Sequence, residues 1–265
     1  MTTTTTSTST SPTSTTAFTS TRVPMTPVRK AALAAGLCYL ATFVFSIPAL
    51  GFYDGVLNDP GFVHGAGSGS GVLWGAMFEV VTALTGIGTA VALYSIIRRH
   101  GPANAVGFVA SRTLEAAMIF LGVISVLGVY TLRQDLGGTD AVGLTTTTAA
   151  LIAIKDWTFL LGPGLMAVIN ALFLATVLRR ARLVPRIIPT IGLIGAPLLL
   201  ASFLATLFGA FDQVSGPALV LALPIAIWEF SLGVWLTVKG VTTSDAPDVA
   251  DEQVASTVPA YAPVA

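Results

Sequence analysis

Five polar side chains lie inside long apolar stretches of this sequence, where an ionisable or amide group is unusual. They are Glu79, Arg112, Glu115, Asn170 and Glu229. A charged residue in the middle of a lipid-embedded helix costs about 2.5 to 3.5 kcal/mol, so such residues usually face other helices and have partners there. Side chains in this setting can bind an ion, carry a proton or fix the register of packed helices.

The spacing of three of these residues predicts a cluster. Arg112 and Glu115 are three residues apart and therefore share one helix face. Glu229 lies near the centre of a later apolar stretch. We predict that Arg112, Glu115 and Glu229 form a buried charged cluster in the inner half of a helical bundle. Glu79, Asn170 and Asp156 are secondary candidate site residues. Separations above about 8 Å would contradict this, because the attraction between charges falls with distance.

Small residues share the helix faces of these side chains. Gly75 and Gly86 recur with Glu79 at helical spacing, and Gly122 recurs with Glu115. Small residues allow helices to approach closely. The pattern predicts that the second and third apolar stretches meet along these faces.

Sequence templates for catalysis are absent. His64 and His100 are the only histidines and lie in separate connecting segments, so the chain has no histidine pair for zinc or haem. It contains no HExxH, phosphate-loop or GxSxG motif. We therefore assign no catalytic residue, no metal and no cofactor. The residue types favour a protein that is not an enzyme, while an intramembrane enzyme that uses only carboxylates stays open.

The composition indicates whether water or lipid surrounds the folded chain. Of its 265 residues, 54% are hydrophobic and only 10% are charged, and the mean hydropathy is +0.82. A water-soluble surface needs far more charge than this. Lys plus Arg and Asp plus Glu number 13 each, and this balance argues against nucleic acid as a partner, because phosphate binding requires a basic surface. The predicted partner is the lipid bilayer.

Six apolar segments are long enough to cross a bilayer. A hydrocarbon core about 30 Å thick needs roughly 20 apolar residues in a helix. We predict an all-α transmembrane bundle of six helices within one membrane domain, residues 29–241. The predicted spans are 31–52, 72–97, 104–131, 157–178, 187–210 and 217–238.

The basic residues predict that both termini are cytoplasmic, because cytoplasmic loops retain Lys and Arg. Only Arg133 and Lys155 fall at the opposite, outer side. The basic residues at the predicted inner loops and helix ends are Arg22, Arg29, Lys30, Arg98, Arg99, Arg112, Arg179, Arg180, Arg182, Arg186 and Lys239.

Both ends of the chain are polar. Residues 1–28 are rich in Ser and Thr, and residues 242–265 are acidic and contain several prolines. Neither segment can bury enough apolar area to fold. We predict two disordered cytoplasmic tails.

Turn-forming residues and charges set the predicted outer boundary of the fourth span. The stretch Gly137 to Thr148 contains a Gly-Gly pair and four consecutive threonines, which indicate a loop. Lys155, Asp156 and Trp157 follow it. We predict that Trp157 is an interfacial anchor and that Asp156 caps the N-terminus of the fourth helix.

Several blocks of the sequence resemble a known family. They are "RKAALAAGLCYLATFVFSIPAL" (29–50), "ASRTLEAAMIFLGVISVL" (110–127), "TLRQDL" (131–136), "KDWTFLLGPGLMAVINALFLATVL" (155–178) and "ALPIAIWEFSLGVWLTVKG" (222–240). Residues 29–241 are similar to the bacterial membrane family catalogued as domain of unknown function 4386. The resemblance implies a multi-pass protein of the bacterial plasma membrane and supplies no reaction, ligand or catalytic residue.

Two functions remain open from the sequence. The first is transport or permeation of a small solute or a proton through a bundle with buried carboxylates. The second is a non-catalytic structural or regulatory subunit, which binds the helices of a membrane-protein partner or of a second copy through small-residue faces.

Overall fold

A computed structural model describes residues 25–59, 61–65, 69–136 and 142–242, with Val142 described by its backbone only. These residues form six long helices and a 3-10 turn at Phe62–His64. The predicted tails lie almost entirely outside this part of the chain. The helices are α1 (Pro27–Asn58), α2 (Ser70–Ile97), α3 (Pro102–Leu136), α4 (Val142–Phe159, Leu160–Met166 and Ala167–Arg180), α5 (Ile187–Leu207) and α6 (Gly216–Val238).

All six helices are long and apolar enough to cross a membrane. Inside each one the backbone amides are bonded within the helix, which is the condition for a chain in hydrocarbon. The predicted all-α bundle with six spans is therefore confirmed for the described residues, and the protein is a multi-pass membrane protein.

Both ends of the described chain lie at one end of the bundle, which we call the inner end. The guanidinium of Arg29, in the first turn of α1, donates hydrogen bonds to the last carbonyls of α6: Leu236 at 2.8 Å and Thr237 at 2.6 Å. The amide of Thr242 donates to the carbonyl of Leu183, between α4 and α5, at 2.8 Å. The α1 start, the α6 end and the α4–α5 connection are thus neighbours.

We expect the Arg29→Gln variant to lose about 2 kcal/mol of unfolding free energy, because hydrogen bonds from a charged donor to helix-terminal carbonyls are stronger than neutral ones. Lys30→Gln is the matched control, since Lys30 is exposed and adjacent. Chemical unfolding in detergent micelles measures the difference. Equal effects of the two substitutions would contradict the capping role of Arg29.

The six helices form a closed ring. Each helix packs against the next one in sequence, and α6 returns to α1. Along the bundle axis the ring has two packed apolar layers. The inner layer contains the fully buried Tyr39, Phe108 and Trp228, and the smaller outer layer contains Tyr53 and Val126. The polar residues predicted from the sequence lie between these layers.

Helix α4 begins at Val142, 15 residues before the predicted start of the fourth span at residue 157. The threonines do not interrupt the helix, because their hydroxyls can bond to the preceding turn; Thr147 Oγ1 donates to the Gly143 carbonyl at 2.8 Å. Asp156 lies inside the segment Val142–Phe159 and does not cap the helix. Trp157 is half exposed on its surface. The part of the predicted loop at 137–141 lies outside the described residues.

Candidate functional site

A cavity of about 280 Å³ lies between the two apolar layers. Every helix of the ring contributes to its wall, which is mostly apolar, while carboxylates and a guanidinium occupy its two ends. Lining residues that represent the six helices in order are Ser46, Gly86, Glu115, Pro163, Leu199 and Glu229.

The inner cluster consists of Arg112, Glu115 and Glu229 at the inner end of this cavity. Arg112 Nη1 lies 2.9 Å from Glu115 Oε2, and Arg112 Nη2 lies 2.6 Å from Glu229 Oε1. The arginine therefore bridges a carboxylate of its own helix and one of α6. Glu229 precedes Lys239 by ten residues, which is about 15 Å of helix and places the cluster near the middle of a bilayer.

Neutral polar groups extend the inner cluster to α4. Asn170, which is fully buried, donates through Nδ2 to Glu115 Oε2 at 2.6 Å. Its Oδ1 accepts a hydrogen bond from Ser111 Oγ at 2.5 Å. The ring of Tyr39 lies 5.3 Å from Arg112 Cζ, within cation–π range. Glu115 is thereby held by two donors from different helices.

The outer pair consists of Glu79 on α2 and Lys155 on α4, which form a buried ion pair. Tyr53 Oη on α1 donates to Glu79 Oε2 at 3.1 Å, and its ring centroid lies 5.0 Å from Lys155 Nζ. Gly122 leaves room for the lysine: a Cβ there would stand 3.1 Å from Lys155 Cδ. Gly122 and Glu115 are seven residues apart on α3, so the two charged groups are separated by about 10 Å along the axis.

A π-helical segment, Leu160–Met166, replaces regular α-helix where α4 passes the cavity. It contains Pro163, which has no amide hydrogen to donate and disfavours regular helix. Beside it, Gly162 allows α4 to approach α3, since a Cβ there would lie 2.8 Å from Met118 Cβ. π-Helical turns are often found at functional sites.

The formal charges around the cavity do not cancel. The outer pair is neutral, whereas the inner cluster holds one arginine and two glutamates. One negative charge is therefore in excess when both carboxylates are ionised. Among the residues that the structure describes, no group of three or more His, Cys, Asp or Glu could hold a metal ion.

The structure brings together the three residues predicted to cluster and adds Asn170 to them. Glu79 lies in the same cavity wall but belongs to the outer pair, and the exposed Asp156 belongs to neither group. The pairing of Lys155 with Glu79 was not predicted, because Lys155 stands at the edge of an apolar stretch, where a lysine usually marks the end of a span. A single lysine next to an apolar stretch can indicate a buried ion pair with an intramembrane acid that has no other predicted partner.

The predicted contact between the faces of spans two and three is only partly observed. Helices α2 and α3 pack against each other. However, a Cβ at Gly75 would meet the ring of Tyr53 on α1 at 2.6 Å, and one at Gly122 would meet Thr158 Oγ1 on α4 at 2.8 Å. The polar faces of α2 and α3 instead turn toward the cavity.

Comparison with known proteins gives one match. No curated protein and no solved structure matches the chain. The model of a domain of unknown function, DUF4386, matches residues 34–240. This range contains the inner cluster, Asn170 and the outer pair. The chain therefore belongs to the DUF4386 family.

Proposed function

We propose that this protein transports or conducts a proton or a small solute through the central cavity. The observation that carries the proposal is the cavity itself, which is lined by residues of all six helices and has ionisable groups at both ends. Ionisable residues inside membranes usually mark ion or proton pathways. Apolar layers lie on both sides of the cavity. In alternating access one such layer opens while the other stays closed around a site near the middle of the membrane.

The excess negative charge favours a proton or a small cation over an anion. Glu229 Oε1 accepts from Arg112, which already binds Glu115. A proton or a cation at Glu229 neutralises the cluster, whereas an anion would add to the excess. A volume of about 280 Å³ also suits a small molecule, since an engineered cavity of about 150 Å³ binds benzene.

The test is proton flux into liposomes that contain the purified protein and a pH-sensitive dye. We expect Glu229→Gln to reduce flux at least tenfold, because the variant retains the neutral Arg112–Glu115 pair but has lost the exchangeable charge. Asp54→Asn is the matched control, because Asp54 is exposed at the outer part of α1. The absence of flux for the unmodified protein, with protons and with small cations, would refute the proposal.

We further propose that the inner end of the bundle faces the cytoplasm of a bacterium and that the membrane is its plasma membrane. The excess of basic residues at this end supports the orientation. An engineered cysteine at Arg182, in a Cys38→Ala background, should react with an impermeant maleimide only after the cells are opened.

The alternative of a structural or regulatory subunit stays a prediction. Several small residues that could bind partner helices are used within the chain: a Cβ at Gly36 would meet α6, and one at Gly192 would lie 2.6 Å from the Trp228 ring. These contacts give the alternative no support. Co-purification of a stoichiometric membrane partner would favour it.

A further inference from the structure

A basic concavity of about 600 Å³ lies at the inner end, in the seam between α4 and α5. Its arginines come from the last turn of α4, the connecting segment and the N-cap of α5. None of them forms an ion pair with another described residue. The lining residues are Thr176, Arg179, Arg180, Arg182, Arg186 and Leu193.

The segment that carries these arginines is fixed in place. Leu183 and Val184 are buried, and the Leu183 carbonyl accepts from the Thr242 amide at 2.8 Å. Arg182 has φ of 53°, in the left-handed region that non-glycine residues seldom adopt. Such a conformation persists when the surrounding structure determines it. The backbone that carries the arginines therefore has a conformation that is fixed by the surrounding structure.

The concavity has both a charged and an apolar part. The four arginines lie at the ends of membrane helices, at the level of lipid headgroups. Leu193 lies six residues into α5, about 9 Å deeper along the helix, and it lines the concavity together with the arginines. A groove with four cations at the surface and an apolar side chain below them matches the order of groups in a lipid, whose phosphate lies above its acyl chains.

We propose that this concavity binds the headgroup of an anionic phospholipid. Guanidinium groups bind phosphate oxygens through two parallel hydrogen bonds, so several arginines can hold one phosphate. The site is separate from the central cavity and does not depend on the transport proposal. A competing occupant is the acidic segment 243–265, which follows Thr242 in the sequence.

The test is lipid binding to the full chain in an uncharged detergent, followed by native mass spectrometry. Phosphatidylglycerol is compared with phosphatidylcholine of the same acyl chains. We expect the unmodified protein to prefer phosphatidylglycerol, and the double variant Arg180→Gln, Arg182→Gln to weaken its binding about tenfold or more, since one arginine near a membrane surface is worth about 1 kcal/mol. The double variant Arg98→Gln, Arg99→Gln, at the α2–α3 connection, is the matched control and should keep the preference.

Four results would overturn the proposal. The first is equal binding of the two lipids, and the second is an equal loss in both double variants, which would indicate a general charge effect. The third is a preference that appears only after residues 243–265 are removed, which would make that acidic segment the occupant. Competition by inorganic phosphate at millimolar concentration, without any lipid preference, would likewise show that the site binds a soluble anion.

Discussion

Replacing Arg112 with glutamine is expected to destabilise the protein by about 3 to 5 kcal/mol, the largest effect of any single substitution considered for the inner cluster. Breaking a buried charge pair by removing one partner leaves the other charge uncompensated. Arg112 bridges Glu115 and Glu229, so its loss leaves two carboxylates near the centre of the bilayer with only the amide of Asn170 as a donor to Glu115.

The same geometry predicts an asymmetry between the arginine and the acids. Glu229→Gln leaves Arg112 paired with Glu115, a neutral arrangement, and should cost less than about 1 kcal/mol. The double variant Arg112→Gln, Glu229→Gln should recover more than half of the loss. The unfolding free energies of the two single variants and the double variant, measured in detergent micelles, complete one double-mutant cycle. Equal losses of unfolding free energy in Arg112→Gln and Glu229→Gln would contradict the view that Arg112 compensates the charge of both glutamates.

Replacing Gly86 with leucine is expected to abolish proton or solute flux while the protein remains folded. Gly86 is buried and lines the cavity, yet a Cβ there would have no atom within 4 Å. An isobutyl group at this position would project from a Cβ that touches no neighbouring helix and would occupy part of the cavity. Leucine also favours helix over glycine by up to about 1 kcal/mol, so stability should stay the same or rise.

Gly51→Leu is the control for this second prediction. Gly51 is an exposed helical glycine on α1 with nothing near a built Cβ, so the same change there adds volume outside the cavity. We expect flux to fall at least tenfold in the Gly86 variant and to be unchanged in the Gly51 variant, with thermal unfolding of both measured in the same detergent. Undiminished flux through the Gly86 variant would exclude the cavity as the pathway.

The helical architecture was predictable because lipid permits few backbone arrangements. Six apolar runs leave hardly any alternative to six helices. The meeting of Arg112, Glu115 and Glu229 was also predictable, since charges of opposite sign at similar depth lower each other's cost of burial. Whether this cluster has a functional role stays a prediction.

The start of α4 and the role of Lys155 could not be read from local signals. Hydropathy treats a lysine and an aspartate in succession as the end of a span. In the folded protein Lys155 is paired with Glu79, which lies 76 positions earlier in the chain, and this pairing removes the reason to stop the helix. The central cavity was equally out of reach, because it depends on how six helices close into a ring.

The bridge formed by Arg112 sets an order of events during synthesis. Arg112 and Glu115 are made together and can enter the bilayer as a neutral pair, whereas Glu229 follows Arg112 by 117 residues. At 5 to 20 residues per second the ribosome needs about 6 to 23 s to reach it. The last helix to be made therefore brings the surplus acid to an arginine that is already in place, and an unfinished chain without α6 would insert with its central charges balanced.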